Sequence, residues 1–202
     1  MMSTISATAV PQTKTDLPGQ GKKTVKSLSW KEFSDRYLGR EDGFKYEWID
    51  GKVEKSPRTM DTTQIYIREN LERFLDALRS GNPHLGRFHS ETDIFLAPGK
   101  HRRPDIAYFT PEQVQKGKTG EHVIPEFVIE VISPTDNINR VNKKVRQYFE
   151  TGVRMIWHIF PEQLEVCVYE NPTRINICRD EYLCSAESVI PGFAMPVSAV
   201  FA

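Results

Sequence analysis

Apolar side chains recur along this chain at two spacings, one near 3.6 residues and one of 2, and the switches between them predict its elements. Trp30, Phe33 and Tyr37 fall at helical spacing behind Ser29, a residue suited to capping a short helix. Phe44 to Ser56 then alternates about Asp50-Gly51, a strong hairpin signal. Helical spacing returns with Ile65, Leu71, Phe74, Leu75 and Leu78, which predicts a long helix from Asp61 to Leu78, opened by a capping residue and stopped by Ser80-Gly81-Asn82-Pro83. Strands are expected at 86–96, 104–109 and 126–132, with Pro98-Gly99 turning between the first two and a short helix opening at Thr110-Pro111-Glu112. A second long helix is expected from Asp136 to Thr151, followed by strands at 153–160 and 164–170.

One strand breaks its own pattern. Phe127-Val128-Ile129-Glu130-Val131-Ile132 is apolar and rich in β-branched residues, as a strand buried on both faces should be, yet it carries a carboxylate. An ionised glutamate there is costly unless a cation receives it, and a metal ion or a lysine is the usual recipient. Asp105 opens a second apolar run, Ile106-Ala107-Tyr108-Phe109, so two acids can meet at the ends of neighbouring strands and share a divalent cation through oxygen ligands.

The second long helix offers the matching cation. At about 100° per residue, Ile138, Val141, Val145, Tyr148 and Phe149 form the arc that faces the sheet. Lys143 points roughly away from that arc into solvent. Lys144 lies at its margin, about 60° from Val141, where its long stem can reach back to the strand carrying Glu130, and Gln147 on the same flank can support it. Two acids and a lysine suit metal-dependent phosphodiester hydrolysis, the acids holding Mg²⁺ and the lysine placing water or meeting developing charge.

Composition narrows the picture. A chain of 202 residues suits one α/β or α+β domain, and residues 1 to 26, rich in Ser, Thr, Pro, Gly and Lys, are expected to be a disordered tail ahead of a domain spanning 27–202. Lys and Arg total 27 and Asp and Glu total 27, so no overall charge points to nucleic acid or a membrane surface. The distribution is uneven, however. Lys100, His101, Arg102 and Arg103 precede Asp105, and Arg140, Lys143, Lys144 and Arg146 follow Glu130, as local basic patches or a solvated face. Cys167, Cys178 and Cys184 lack metal-ligand pairing and disulfide-like arithmetic. With no long apolar segment and no leader-like N-terminus, a cytoplasmic protein without a membrane partner is expected. The histidines show no ligand spacing, His158 reads as a packed strand residue, and Trp48 and Trp157 read as core.

Four segments in order carry a family resemblance: Tyr46-Glu47-Trp48-Ile49-Asp50-Gly51, Arg103-Pro104-Asp105-Ile106-Ala107, Glu130-Val131-Ile132-Ser133-Pro134-Thr135-Asp136, and Lys144-Val145-Arg146-Gln147-Tyr148 leading to Gly152-Val153 and Ile156-Trp157. Over about residues 30 to 170 the chain resembles the Uma-type family of restriction-endonuclease-like proteins in the PD-(D/E)xK nuclease superfamily. The resemblance implies a central mixed β-sheet flanked by helices, with Asp105 and Glu130 as ligands for Mg²⁺ or Mn²⁺ and with a catalytic lysine. In the superfamily's commonest pattern that lysine stands two residues after the glutamate, where this chain has Ile132; Lys144 is the matching residue from the following helix. Glu47 matches the family's early acid, as a further member of the metal shell or as an ordinary hairpin charge. Relatives carry a histidine early in the first long helix, where this chain has Gln64.

The resulting expectation is an endonuclease acting on DNA, with dimerisation following from how such nucleases cut two strands. A silent nuclease-fold protein that binds nucleic acid or a protein partner is the first alternative. An oligomeric scaffold with a structural ion-pair network is the second.

Overall fold

Asp50 and Gly51 both adopt left-handed backbone angles, φ 49° and 77°, and fold the first alternating segment into the hairpin of β1 (Phe44–Ile49) and β2 (Lys52–Pro57). A side chain at Gly51 would also collide with Ser27, whose segment docks there through a 2.8 Å hydrogen bond from the Leu28 amide to the Gly51 carbonyl. The computed structural model describes residues 27–58 and 62–202; the expected N-terminal tail and the Asp61 cap lie outside them. Ser29 forms a capping box with Glu32 and opens α1 (Trp30–Phe33), which continues as a π-helical turn through Ser34–Leu38.

Two sheets follow from the remaining strands. The smaller is antiparallel in the order β2, β1, β5 (Lys100–Arg102), β4 (Ile94–Ala97). The larger runs β10 (Arg174–Arg179), β9 (Glu165–Asn171), β8 (Met155–Phe160), β7 (Phe127–Val131), β6 (Ile106–Phe109), β3 (Arg87–Ser90). Within it only β7 and β8 pair in parallel, and α4 (Ile138–Glu150) is the crossover between them. β3 and β4 come from a segment whose pattern predicts a single strand, 86–96. The break falls at Glu91, φ 46°, which turns the chain out of the larger sheet and sends the next strand into the smaller one.

Strand alternation divides the interior in two. Phe127, Ile129, Ile106, Tyr108, Met155 and Trp157 face a core closed by α2 (Thr62–Gly81) and by the C-terminal segment. Ala107, Phe109, Val128 and Ile156 face the opposite way, toward Val145 and Tyr148 of α4 and toward Ile94 and Leu96 of the smaller sheet. The buried stripe on α2 is Ile67, Asn70, Leu71 and Leu75, so Ile65 falls off it and is exposed. Ile138 is exposed too, because α4 meets the sheet only from Val141 onward. Among the described residues, no helix is long and apolar enough to cross a membrane.

Beyond residue 170 the chain completes the first core, with β10, the short pair β11 (Leu183–Ser185) and β12 (Ala194–Pro196), and the closing turn α5 (Val197–Val200). A short helix, α3 (Pro111–Lys118), lies between β6 and β7 and is capped by Thr110 and Gln113. Phe193 is fully buried against Phe74, Phe88, Phe127 and Trp157, with ring centroids 5.3 to 6.4 Å away. Phe193→Ala is therefore expected to lower unfolding free energy by about 3–5 kcal/mol in urea titrations, as truncation of a buried aromatic does. A loss below about 1 kcal/mol would mean that the C-terminal segment is an appendage and not part of the core.

Candidate active site

The alternation that splits the core also decides where the polar side chains go. Glu130 shares the parity of Val128, His158 that of Ile156, and Asp105, immediately before β6, that of Ala107 and Phe109. The registers Ile106 to Ile129 and Glu130 to His158 then set Asp105, Glu130 and His158 side by side on the face beneath α4 and the smaller sheet. Asp105 is fixed there by a 2.8 Å hydrogen bond that its Oδ2 accepts from the Val131 amide.

The cation from α4 arrives as its helical phase requires. Val141, Val145 and Tyr148 anchor the helix, and Lys144 extends its Nζ to 3.1 Å from Glu130 Oε1 and 3.4 Å from Glu47 Oε2. Tyr148 is more than core packing, since its hydroxyl donates to the same Glu130 oxygen at 2.8 Å. Lys143 is half-exposed but does not project freely into solvent: its Nζ reaches Glu54 Oε1 at 3.1 Å. Gln147 accepts from the Arg102 guanidinium at 3.1 Å.

The smaller sheet supplies the other wall. Lys45 and Glu47 share one face of β1, and both are buried. Glu47 stands directly across from Glu54 on β2, a repulsive cross-strand pair unless a cation joins them. Arg102 does so: its Nη1 donates to Glu47 Oε2 at 2.8 Å and to Glu54 Oε2 at 2.6 Å, and its side chain is 0% exposed. The Arg103 amide donates to the remaining Glu47 oxygen at 3.0 Å. Lys45 closes the set, with its Nζ 2.6 Å from Asp105 Oδ1 and 4.0 Å from Glu130 Oε2.

These contacts set the protonation states. Burial works against the Glu47 carboxylate, but Lys144, Arg102 and Lys45 outweigh it and hold the group down at about 2. Burial raises Glu130 above the usual carboxylate range, against the pull of Lys144 and Lys45, and the neighbouring acids Asp105 and Glu47 add to the rise. Lys45 stays well above an ordinary lysine, because attraction to Asp105, Glu130 and Glu47 exceeds its own desolvation. Burial, helped by Lys144, depresses His158 to about 4, so the imidazole is neutral near pH 7, and its Nδ1 is buried without a hydrogen-bond partner.

The cluster lies at the base of an open pocket of about 390 Å³, lined by Lys45, Asp105, Glu130 and Lys144 within and by Arg58 and Arg140 nearer the rim. Among the described residues, no group of three or more His, Cys, Asp or Glu side chains is placed to hold an ion. Mg²⁺, however, commonly takes only one or two protein carboxylates and completes its shell with water and phosphate oxygens. Asp105 Oδ1 and Glu130 Oε2 meet that requirement: both face a single position, and a cation, the Lys45 ammonium, already stands in it. The donor set fits a hard divalent ion.

Asp105, Glu130, Lys144 and Glu47 are thus brought together, and Gln64 lines the same pocket. The basic run before Asp105 is neither a patch nor a solvated face. His101 is buried against Trp30, Phe33 and Phe95, Arg102 is buried among acids, and Arg103 pairs with Asp93 at 2.7 Å. Trp157 is core as expected, whereas Trp48 is only partly buried, its ring beside Trp30 and its indole N–H on the Leu28 carbonyl. Lys45, Glu54, Arg102 and Tyr148 escaped the reading of site residues from sequence. One signal was available for Lys45: in the alternation of β1 it shares the parity of Glu47 and Ile49, and so belongs on the buried face.

His158 gives a pH signature. Its folded value lies below the ordinary 6.5, so the unfolded chain binds the extra proton first as pH falls. Stability should therefore drop between about pH 6.5 and 4, by up to about 1.4 kcal/mol per pH unit from this group. Glu130, raised in the fold, contributes with the opposite sign; comparison with His158→Gln by urea unfolding across that window isolates the imidazole, and parallel curves for the two proteins would exclude it.

The model of a family described as "Uma2: Putative restriction endonuclease" matches residues 30–198. No curated protein matches the chain. Among solved structures, the crystal structure of "a putative nuclease belonging to DUF820" from Anabaena variabilis ATCC 29413 superposes with a TM-score of 0.71 at 20% identity, covering 85% of this chain and 96% of that one. At that identity the likeness is one of fold, and the restriction-endonuclease-like mixed sheet with flanking helices is the architecture observed. With the family's model matched from Trp30 to Ser198, across both sheets and every element of the pocket, the chain belongs to the Uma2 family.

Proposed function

We propose that this protein is a metal-dependent endonuclease that hydrolyses DNA phosphodiester bonds, with Asp105 and Glu130 as ligands for Mg²⁺ or Mn²⁺ and Lys144 as the catalytic lysine. The observation that carries the reading is the convergence of these three side chains, from two adjacent strands and the helix that follows them, at the base of one open pocket. The family, described as "Putative restriction endonuclease", and the fold shared with "a putative nuclease" support it. When bound, the metal would acidify water and neutralise charge on the phosphate.

The chain's own residues supply the rest. Lys144, held between Glu130 and Glu47, keeps a positive charge within reach of a phosphate oxygen or an attacking water without needing to move far. Glu47 is fully engaged by Arg102, the Arg103 amide and Lys144, so its part is to position the lysine. Tyr148 donates to Glu130 and orients that carboxylate. Arg140, exposed at the pocket, suits a flanking phosphate of a polyanion, whereas Arg58 is paired with Glu91 in the same lining. The nucleic acid is the partner, and a homodimer would place two such pockets on opposite strands.

One observation favours a second reading, a silent nuclease-fold protein: each site acid already has a protein cation within 4.0 Å. Cleavage assays on plasmid and duplex DNA with Mg²⁺ or Mn²⁺ separate the two. Lys144→Ala should lower the cleavage rate by about 10²-fold or more while Mn²⁺ binding persists, as loss of a positioned charge in a transition state does. Lys143→Ala should stay close to wild type. Equal losses in the two variants would refute the assignment of Lys144, and no cleavage of any nucleic acid by wild type would favour the silent reading.

A further inference from the structure

The position between the two acids is already filled. Asp105 has one oxygen on the Val131 amide and the other on Lys45; Glu130 has Oε1 on Lys144 and Tyr148, and Oε2 facing Lys45. A divalent ion shared by Asp105 and Glu130 must therefore take the place of the Lys45 ammonium, since metal–oxygen bonds of about 2.0–2.1 Å leave no room for a second cation between the same oxygens. The lysine is free to leave. It hangs on a flexible four-carbon stem, it lines the open pocket, and among the described residues its ammonium is held by the acids Asp105 and Glu130 alone.

Charge decides where it would go. Lys45, Arg102, Lys143 and Lys144 are matched one for one by Glu47, Glu54, Asp105 and Glu130. Adding a divalent cation to this balanced set leaves a surplus of positive charge, and a phosphodiester entering the same pocket is a group that can accept both the surplus and the displaced ammonium. We propose that Lys45 is a tethered counter-ion that holds the metal position in the free protein and transfers to a substrate phosphate, so that metal and nucleic acid bind as a pair. This inference rests on the metal-dependent reading above, and Lys45 is a positioning residue in it. By linkage, the metal must tighten nucleic-acid binding by the same factor as nucleic acid tightens the metal.

The test is calorimetric titration of Mn²⁺ into wild type, Lys45→Met, Lys45→Arg, Lys143→Met and Asp105→Ala, without DNA and with a short duplex carrying phosphorothioate linkages. Without DNA, Lys45→Met should bind Mn²⁺ about tenfold or more tightly than wild type, within the range typical of coupled sites. Lys45→Arg, which keeps the charge, and Lys143→Met, which removes a charge elsewhere in the cluster, should both stay near wild type. The duplex should tighten Mn²⁺ binding to wild type by a similar factor and to Lys45→Met by much less. If Lys45→Met fails to fold, the wild-type titrations with and without duplex still decide, because equal affinities there overturn the coupling. Mn²⁺ binding that needs Asp105 but is indifferent to Lys45 and to DNA would refute this role while leaving the metal site intact. Absence of Asp105-dependent binding under every condition would instead remove the metal-dependent reading itself, and this proposal with it.

Discussion

A carboxylate buried at the centre of a sheet cannot be left alone, and the arrangement around Glu130 follows from that constraint. Its strand is buried along its whole length and Glu130 is only 5% exposed, so little water can solvate the charge. The effective cost of an unpaired ion in such a place is several kcal/mol, a large share of the net stability of a domain. Cations must come from elements that the chain places on either side. Lys144 comes from the helix after the strand, and Lys45 from a hairpin far earlier in the chain. Both deliver an ammonium group on a long stem, and both side chains are largely buried.

The same reasoning ties the smaller sheet to the larger. Glu47 and Glu54 oppose each other across the hairpin and would repel, but Arg102 from the next strand bridges them through Nη1, while its Nε and Nη2 remain for Gln147. Gln147 of α4 accepts from that guanidinium, so hairpin, third strand and helix share one hydrogen-bonded seam. The seam is polar on a wall that is otherwise apolar, and through Glu47 it adjoins the pocket.

For function, balance within the seam has a consequence at the surface. A cluster whose charges cancel projects little field, in keeping with equal totals of acidic and basic residues in the whole chain. In the proposed function, attraction of a polyanion would then fall to exposed groups such as Arg140, while the buried groups would act only on what has already entered. The proposed chemistry depends on that division: a preorganised interior meets charge as it develops, and the exposed rim governs encounter.

Much of this molecule is local in origin and legible from sequence. The hairpin turn at Asp50-Gly51 is set by backbone angles that glycine favours, the two long helices by apolar spacing, and the reach of Lys144 by helical phase alone. Glu130 could be chosen because it interrupts an apolar strand, Asp105 because it opens a second apolar run, and Lys144 because it lies at the margin of its helix's apolar arc. What sequence could not settle is pairing across distance. Glu91 sends one predicted strand into two sheets, residues beyond 170 return to fill the first core through Phe193, and a basic run that reads as surface is divided among an aromatic pocket, a buried seam and a surface ion pair. Lys45 and Arg102 are unremarkable in their own segments. Only when the hairpin is laid over the larger sheet do they face acids 60 and 55 residues away, and a charge acquires its partner from the packing of elements, which no local spacing records.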